Sequence, residues 1–230
     1  MTTHIAKNPY RFLRQNPIET EKLELNRIVA TRASFENVLD AFAGDGTSSR
    51  IYATNATHVL AVEKDRKYLS ALTKPALSHK ISVLRADNLA VMPLLADRSF
   101  ALLDLDPYGS CYPQIELAGR LLKKSGVILV SSGDIQRVVR GLQMKRFPNS
   151  RRFCGRKAVF WAEDVWIPHV LEILKRDLPR IGLVHFFASP VLIRAIFATP
   201  DLARQLACVR NRPRYLGWFR KLAKANDTLE

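Results

Sequence analysis

Between residues 37 and 134, short apolar runs alternate with stretches of helical pattern. The runs are NVLDAF, HVLAVEKD, ISVLRAD, ALLDLD and VILVSSGD, each short enough for a strand and bounded by turn-forming or charged residues. Strands joined in this way run parallel, with right-handed crossovers and helices packed on both faces of the sheet. Two more apolar runs, in IGLVHFFASPVLIRAIFAT, are separated only by a few residues around Ser189-Pro190. So tight a join cannot link parallel strands and predicts an antiparallel pair at one edge. The expected fold is α/β: a doubly wound, mostly parallel, seven-stranded sheet with an antiparallel edge hairpin.

The intervening segments read as helices. NPIETEKLELNRIVATR has Asn16 as a cap, Pro17 in the first turn and Glu19 at a capping-box position. Its Ile18, Leu25, Ile28 and Val29 share one face. Further helices are expected at GTSSRIYATN, at RKYLSALTKPAL with Pro75 ending it, and at QIELAGRLLKKSG with Gly126 ending it. AEDVWIPHVLEILKRDL reads as a helix kinked at Pro168. The expected organisation is a helical extension over 1–34, the sheet domain over 35–200 and a tail over 201–230, with no repeats or low-complexity tracts.

Charge points to the partner. The 230 residues carry 36 Lys and Arg against 21 Asp and Glu, a net +15. Residues 135–157 hold eight Lys or Arg and no acid. Residues 204–224 hold seven and no acid, interleaved with Tyr215, Trp218 and Phe219. Cations pair with phosphates and rings stack on unpaired bases, so nucleic acid is the expected partner. The candidate contacts are Arg137, Arg140, Lys145, Arg146, Arg151, Arg152, Arg156, Arg210, Arg212 and Arg214. A membrane partner is not expected: no apolar run is long enough to span one, and neither basic segment has an amphipathic helical pattern. Three scattered cysteines and a start without a signal core read as a reducing, cytoplasmic setting. The five histidines lie far apart without metal-ligand spacing, so no structural metal is expected.

In doubly wound sheets ligands bind beyond the carboxyl ends of the strands. Three candidates fall there. VLDAFAGDGT places Gly44 and Gly46 in a turn where the backbone can approach a ligand closely. Glu63 ends the second strand, about where an acid accepts hydrogen bonds from ribose hydroxyls. Asp87, with Asn88, follows the third strand, where an acid can accept from an adenine amino group; it would serve equally as a helix cap. The turn lacks the three-glycine spacing that seats a pyrophosphate, which disfavours a dinucleotide.

At the end of the fourth strand stands DLDPYGS. A base amino nitrogen is a poor nucleophile because its lone pair is delocalised into the ring. A carboxylate and a fixed carbonyl accepting its hydrogens localise that pair, and a ring can stack on the extruded base. Asp106 is cast as the amino-group acceptor, the Pro107 carbonyl as its partner and Tyr108 as the stacking platform. Asp104 either lies near the cofactor or has a structural role.

Together these motifs resemble the class I S-adenosylmethionine-dependent methyltransferases over roughly Val38 to Thr199. The resemblance implies S-adenosylmethionine as cofactor, with contacts from Arg27, Asp40, Phe42, Gly44, Gly46, Glu63, Lys64, Asp87, Asn88 and Asp104. DLDPYGS is similar to the Asp-Pro-Pro-Tyr signature of amino-directed nucleic-acid methyltransferases, and closer still to the tRNA (guanine-26 N2)-dimethyltransferase family. LELNR, VILVSSGD, FCGRKAV and LIRAIFA, with Arg194 at a matching arginine, resemble further motifs of that family in order. The chain departs from it at Ser48, where an arginine is common, and is expected to be without that family's C-terminal domain. RNA, specifically tRNA, is thus favoured over DNA as substrate, with guanine N2 the first target. LDAFAGDGTSS is also near the form found in DNA amino-methyltransferases, which keeps adenine N6 and cytosine N4 in DNA as an alternative. A nucleic-acid-binding homologue without activity is the third reading, and small-molecule methyl transfer is disfavoured by the charge.

Overall fold

The computed structural model describes residues 17–72, 79–154, 157–206 and 214–215. The first helix, α1 (Pro17–Arg32), precedes a regular alternation: β1 (Phe35–Asp40), α2 (Thr47–Ala53), β2 (Ala56–Glu63), α3 (Arg66–Leu72), β3 (Ile81–Arg85), α4 (Asn88–Val91) and β4 (Phe100–Leu105). Then come α5 (Tyr112–Leu121), β5 (Leu122–Ser132), α6 (Ile135–Val139), α7 (Ala158–Trp161), α8 (Ile167–Lys175), β6 (Gly182–Ala188), β7 (Ile193–Ala198), α9 (Pro200–Gln205) and β8 (Arg214–Tyr215).

The strands form one sheet in the order β3-β2-β1-β4-β5-β7-β6-β8. β1 to β5 are parallel, and β7 is antiparallel to both β5 and β6, as the Ser189-Pro190 join requires. The fold is the expected doubly wound one. The two-residue β8, which the sequence does not announce, pairs with β6 outside the hairpin. Chain order reverses between β1 and β4, so the switch point lies where β1 and β4 end side by side.

Side-chain alternation divides the core between two faces. Leu39, Leu103, Ile128 and Val130 meet α5 and α8 through Ile115, Ala118, Val170 and Leu174. Val38, Leu102, Leu129 and Ile196 meet α1, α2 and α9 through Leu25, Val29, Tyr52 and Leu202. Asp40 and Asp104 are cross-strand partners, in register with Val38 and Leu102 two residues earlier, so both carboxylates enter the second layer.

Two helices differ from expectation for identifiable reasons. α5 ends at Leu121 instead of Gly126, and the next residues open β5. Phe100 pairs with Leu122 but Leu102 with Val127, so the intervening residues bulge from the ladder. The Arg98 guanidinium donates to the carbonyls of Gly119 and Leu122 at 2.6 and 2.9 Å, closing the helix end where a longer helix would have needed them. Pro168, expected as a kink, lies in the first turn of α8. A π-helical turn, Ala162–Trp166, joins α7 to α8, with the Ile167 amide donating to the Ala162 carbonyl. α3 ends at Leu72, and Pro75 and Asn16 lie outside the described residues.

The basic segment after β5 is anchored by an apolar underside. Ile135, Val138, Met144 and Phe147 are buried in the core layer of α5 and α8. Its cations face outward.

Candidate active site at the strand ends

The carboxyl ends of β2, β1 and β4 carry Glu63, Asp40 and Asp104, and DLDPYGS continues directly from β4. The Gly44 and Gly46 turn sits over the β1 end. Gly46 has φ +79°, and a Cβ there would lie 2.6 Å from Leu72 Cδ2, so glycine is required for conformation and space alike. Gly44, at φ +53°, faces open space except for the Phe42 carbonyl.

The rim toward β2 and β3 is built from carboxylates that accept backbone amides. Half-buried Glu63 accepts from the Gly44 amide at 2.8 Å and from the Asp65 amide at 2.7 Å. Asp87 accepts from the Leu89 amide at 2.9 Å and so caps α4, while Lys64 Nζ approaches its other oxygen at 3.5 Å. Asn88 is turned inward: its amide donates to the Ala41 carbonyl and accepts from Gln114, tying the β1 end to α5. Phe42 is half-buried against the core.

Under the β1 and β4 ends the chain builds a closed polar network. Arg194, on β7 and wholly buried, donates to both oxygens of Asp104 at 3.0 Å, to Ser131 Oγ at 2.7 Å and to Asn26 Oδ1 at 2.5 Å. Tyr52 Oη donates to Asp104 at 2.5 Å, and Asn26 donates onward to Ser48. Asp104 therefore has no exposed surface and spends its acceptors on α2 and β7. Asp40, buried beside it, accepts from Ser49 Oγ at 2.6 Å. Burial and the neighbouring Asp104 charge push its carboxyl up to about 7.

Asp106 lies at the mouth of this network. Its Oδ2 is 2.8 Å from Lys22 Nζ on α1, and its Oδ1 is 3.7 Å from Arg194. Burial works against its charge, but Lys22 and Arg194 outweigh burial and hold the carboxyl down to about 2. The next residues rise to the surface: Pro107 is half-buried and the Tyr108 side chain is 80% exposed, its hydroxyl 3.0 Å from that of Tyr68 on α3. The loop is pinned from behind, where the Gly133 amide donates to the Gly109 carbonyl at 2.9 Å. A Cβ at Gly133 would stand 2.9 Å from the Tyr108 carbonyl, so this close approach needs glycine.

The structure thus gathers Asp40, Gly44, Gly46, Glu63, Lys64, Asp87, Asn88, Asp104, Asp106, Pro107 and Tyr108 along one edge of the sheet. Arg27 is not among them; it lies on the solvent side of α1, 3.5 Å from Glu24. Arg137, Arg140, Lys145, Arg146, Arg151 and Arg152 are exposed on the segment leaving β5 at this same end. Arg146 also stacks on the Tyr112 ring at 4.4 Å. Arg156, Arg210 and Arg212 lie outside the described residues, and only the backbone of Arg214 is described. No cluster of His, Cys, Asp and Glu suited to a metal occurs among the described residues, nor does any helix there have the length and apolarity to cross a membrane.

Sequence reasoning missed Lys22, Asn26, Tyr52, Ser131 and Gly133, and gave Arg194 no role. One signal was present: Lys22 and Asn26 fall four apart on the face of α1 that carries Leu25 and Val29, and polar residues on an apolar stripe mark buried partners.

No family model and no curated protein sequence matches the chain. Solved structures do. Trm1 from Pyrococcus horikoshii, in complex with S-adenosyl-L-methionine, superposes with TM-score 0.60 at 17% identity, covering 82% of this chain and 57% of its own. The N-methyltransferase NodS from Bradyrhizobium japonicum WM9, with S-adenosyl-L-homocysteine, gives 0.55 at 15% identity, covering 85% and 94%. Trm5b from Pyrococcus abyssi gives 0.54 at 16%, covering 79% and 48%. The chain spans little more than half of Trm1 and about half of Trm5b. At these identities the likeness is one of fold: the chain has the Rossmann-like methyltransferase architecture.

Proposed function

We propose that the chain is an S-adenosylmethionine-dependent methyltransferase acting on an exocyclic amino group of a nucleic-acid base, with guanine N2 in tRNA as the first target. The observation that carries this reading is Asp106-Pro107-Tyr108: an ionised carboxylate, a proline-fixed carbonyl and an exposed ring, at the same sheet edge as the glycine turn, Glu63 and Asp87. Solved structures of this fold holding S-adenosylmethionine or S-adenosylhomocysteine support the cofactor.

The residues along this edge fit that group. Glu63 keeps unused lone pairs beside its two amide contacts, suited to ribose hydroxyls, and the exposed side of Asp87 suits an adenine amino group. Gly44 leaves room for the ligand at the turn, and the backbone amide of Asn88 directly follows Asp87, while its side chain faces inward. Asp40 and Asp104, buried beneath the β1 and β4 ends, support the turn from below. When bound, S-adenosylmethionine supplies an electrophilic methyl group on a sulfonium.

The chain's own residues prepare the nucleophile. Tyr108 offers an exposed face on which an extruded base stacks. Asp106 and the Pro107 carbonyl accept the two amino hydrogens and steer the nitrogen lone pair out of the ring. Lys22 and Arg194 hold Asp106 so acidic that it accepts a hydrogen bond without removing a proton from the neutral amine. The methylated amine is a far stronger acid, and its proton leaves to Asp106 or solvent. The exposed cations from Arg137 to Arg152 lie where backbone phosphates around the extruded base would pass.

Incubation with methyl-labelled cofactor and separate pools of tRNA, rRNA and DNA, followed by digestion to nucleosides, tests the reading. Label in N2-methylguanosine from tRNA is expected, and Asp106→Ala abolishes it while sparing cofactor binding. Label in N6-methyladenine or N4-methylcytosine from DNA selects the alternative substrate, and cofactor binding without transfer selects the inactive binding homologue.

A further inference from the structure

Lys22 is a largely enclosed ammonium on α1, outside both basic segments of the sequence. Its side chain is 14% exposed, and its nitrogen stands 2.8 Å from both Asp106 Oδ2 and Glu19 Oε2. Leu25, Asn26 and Val29, on the same inward face of α1, are buried against the sheet, so the helix cannot roll Lys22 outward without opening the second core layer. Burial alone would weaken its hold on the proton; the facing carboxylates Asp106 and Glu19 outweigh burial and keep the amine charged.

We propose that Lys22 is a positioning residue of the methyl transfer, acting through Asp106, and that Glu19 completes the arrangement by holding the ammonium in place. This rests on the amino-methyltransferase reading above. A carboxylate must present one oxygen to an amino hydrogen in a fixed direction, yet Asp106 lies beyond the last ladder pair of β4, on a loop. Arg194 alone does not fix it: at 3.7 Å from Oδ1 it is a distant partner, and its hydrogen bonds go to Asp104, Ser131 and Asn26. Lys22 supplies the close ionic contact, beside a hydrogen bond from Ser131. Each carboxylate oxygen has two lone pairs, so the ammonium occupies one site on Oδ2 and leaves another for substrate. α1, read from sequence as an extension ahead of the sheet domain, thereby becomes part of the active site.

The groups facing Asp106 set its titration: Lys22 from α1, Arg194 from β7, Asp40 from β1, Asp104 within β4 and the buried thiol of Cys111 before α5. Of these, Lys22 is the nearest cation. Its loss moves Asp106 upward by about 1–3 pH units.

The test compares wild type with Lys22→Met, Lys22→Arg and Glu19→Gln, each assayed for cofactor affinity by calorimetry and for turnover on tRNA from pH 5 to 8. Lys22→Met is expected to bind cofactor within about twofold of wild type, to lose about tenfold or more in kcat, and to fall by up to about a further twofold as pH drops from 6 to 5, where wild type stays flat. Lys22→Arg restores most of the rate and the flat profile, and Glu19→Gln gives an intermediate loss. Carbon-13 NMR of the Asp106 carboxyl follows its titration without turnover and is expected to move upward in Lys22→Met. Should that variant not fold, Lys22→Gln takes its place in both measurements. Unchanged kcat with an unshifted profile overturns the proposal, as does a faster Lys22→Met enzyme, which would make Lys22 a block to substrate. If wild type itself transfers no methyl to any nucleic acid, the parent reading fails and this one with it; an active wild type indifferent to Lys22 sinks this one alone.

Discussion

Glu63 and Asp104 both stand at carboxyl ends of parallel strands, on either side of β1, yet the structure surrounds them differently. Asp104 is sealed among Arg194 and Tyr52, with nothing exposed. Glu63, like Asp87 beyond it, leans on backbone amides and keeps part of its surface open. A carboxylate matched by a buried guanidinium has its bonding complete and can serve only to hold other groups. One that accepts amides keeps lone pairs for a ligand. In the proposed function the β4–β7 side is therefore the scaffold of the site and the β2–β3 rim its reading edge, although the sequence places an acid at each position with equal prominence.

The sharpest way to break this contrast is Arg194→Met. It leaves Asp104 buried without its cation, and a loss of about 3–5 kcal/mol in denaturant-measured stability is expected. A loss under about 1 kcal/mol would mean that the network is not a scaffold. Asp40→Asn acts on the same side with opposite sign. Asp40 titrates near 7 in the folded chain against about 4 unfolded, so the folded state holds its proton longer. Its contribution is fully present below pH 4 and drains away as pH rises through 7. The asparagine, with Ser49 as hydrogen-bond partner, is expected to be more stable at pH 8 by about 2–4 kcal/mol and no more stable at pH 4, read from urea midpoints.

Gly133→Ala tests whether the scaffold reaches the catalytic loop. Pushing on the Tyr108 carbonyl should lower kcat by about tenfold to a hundredfold and leave cofactor affinity unchanged. The smallest effect belongs to the rim. Asp87→Asn keeps the cap on Leu89, because asparagine caps as well as aspartate, so the melting temperature should hold. Cofactor affinity is expected to drop several-fold by calorimetry. A change in stability without a change in affinity would return Asp87 to a purely structural role.

The rim was legible in the sequence because each acid follows a strand whose apolar run announces it. The strands themselves were legible for the same reason, and so was the reversal at Ser189-Pro190. The scaffold was not. Arg194 is separated from Asp104 by ninety residues, and Lys22 from Asp106 by eighty-four, so no local pattern pairs them. The length of α5 was misread because LLKKSG continues a helical pattern, and what ends the helix is Arg98, a residue from before β4 that competes for its carbonyls. The π turn escaped notice because its cause, the missing amide of Pro168, predicts a disturbance without fixing its form.

The antiparallel setting of β7 brings Arg194, near the start of that strand, to the edge where β1 and β4 end. During synthesis Asp40, Asp104 and Asp106 leave the ribosome well before the guanidinium that neutralises two of them. Until residue 194 emerges, a nascent sheet of β1 to β5 carries carboxylates it cannot bury as anions, and either keeps them protonated or keeps that edge open to water. The site is thus completed by a strand made after β1 to β5, and a chain cut short before β7 would stall as a sheet whose acidic edge stays wet.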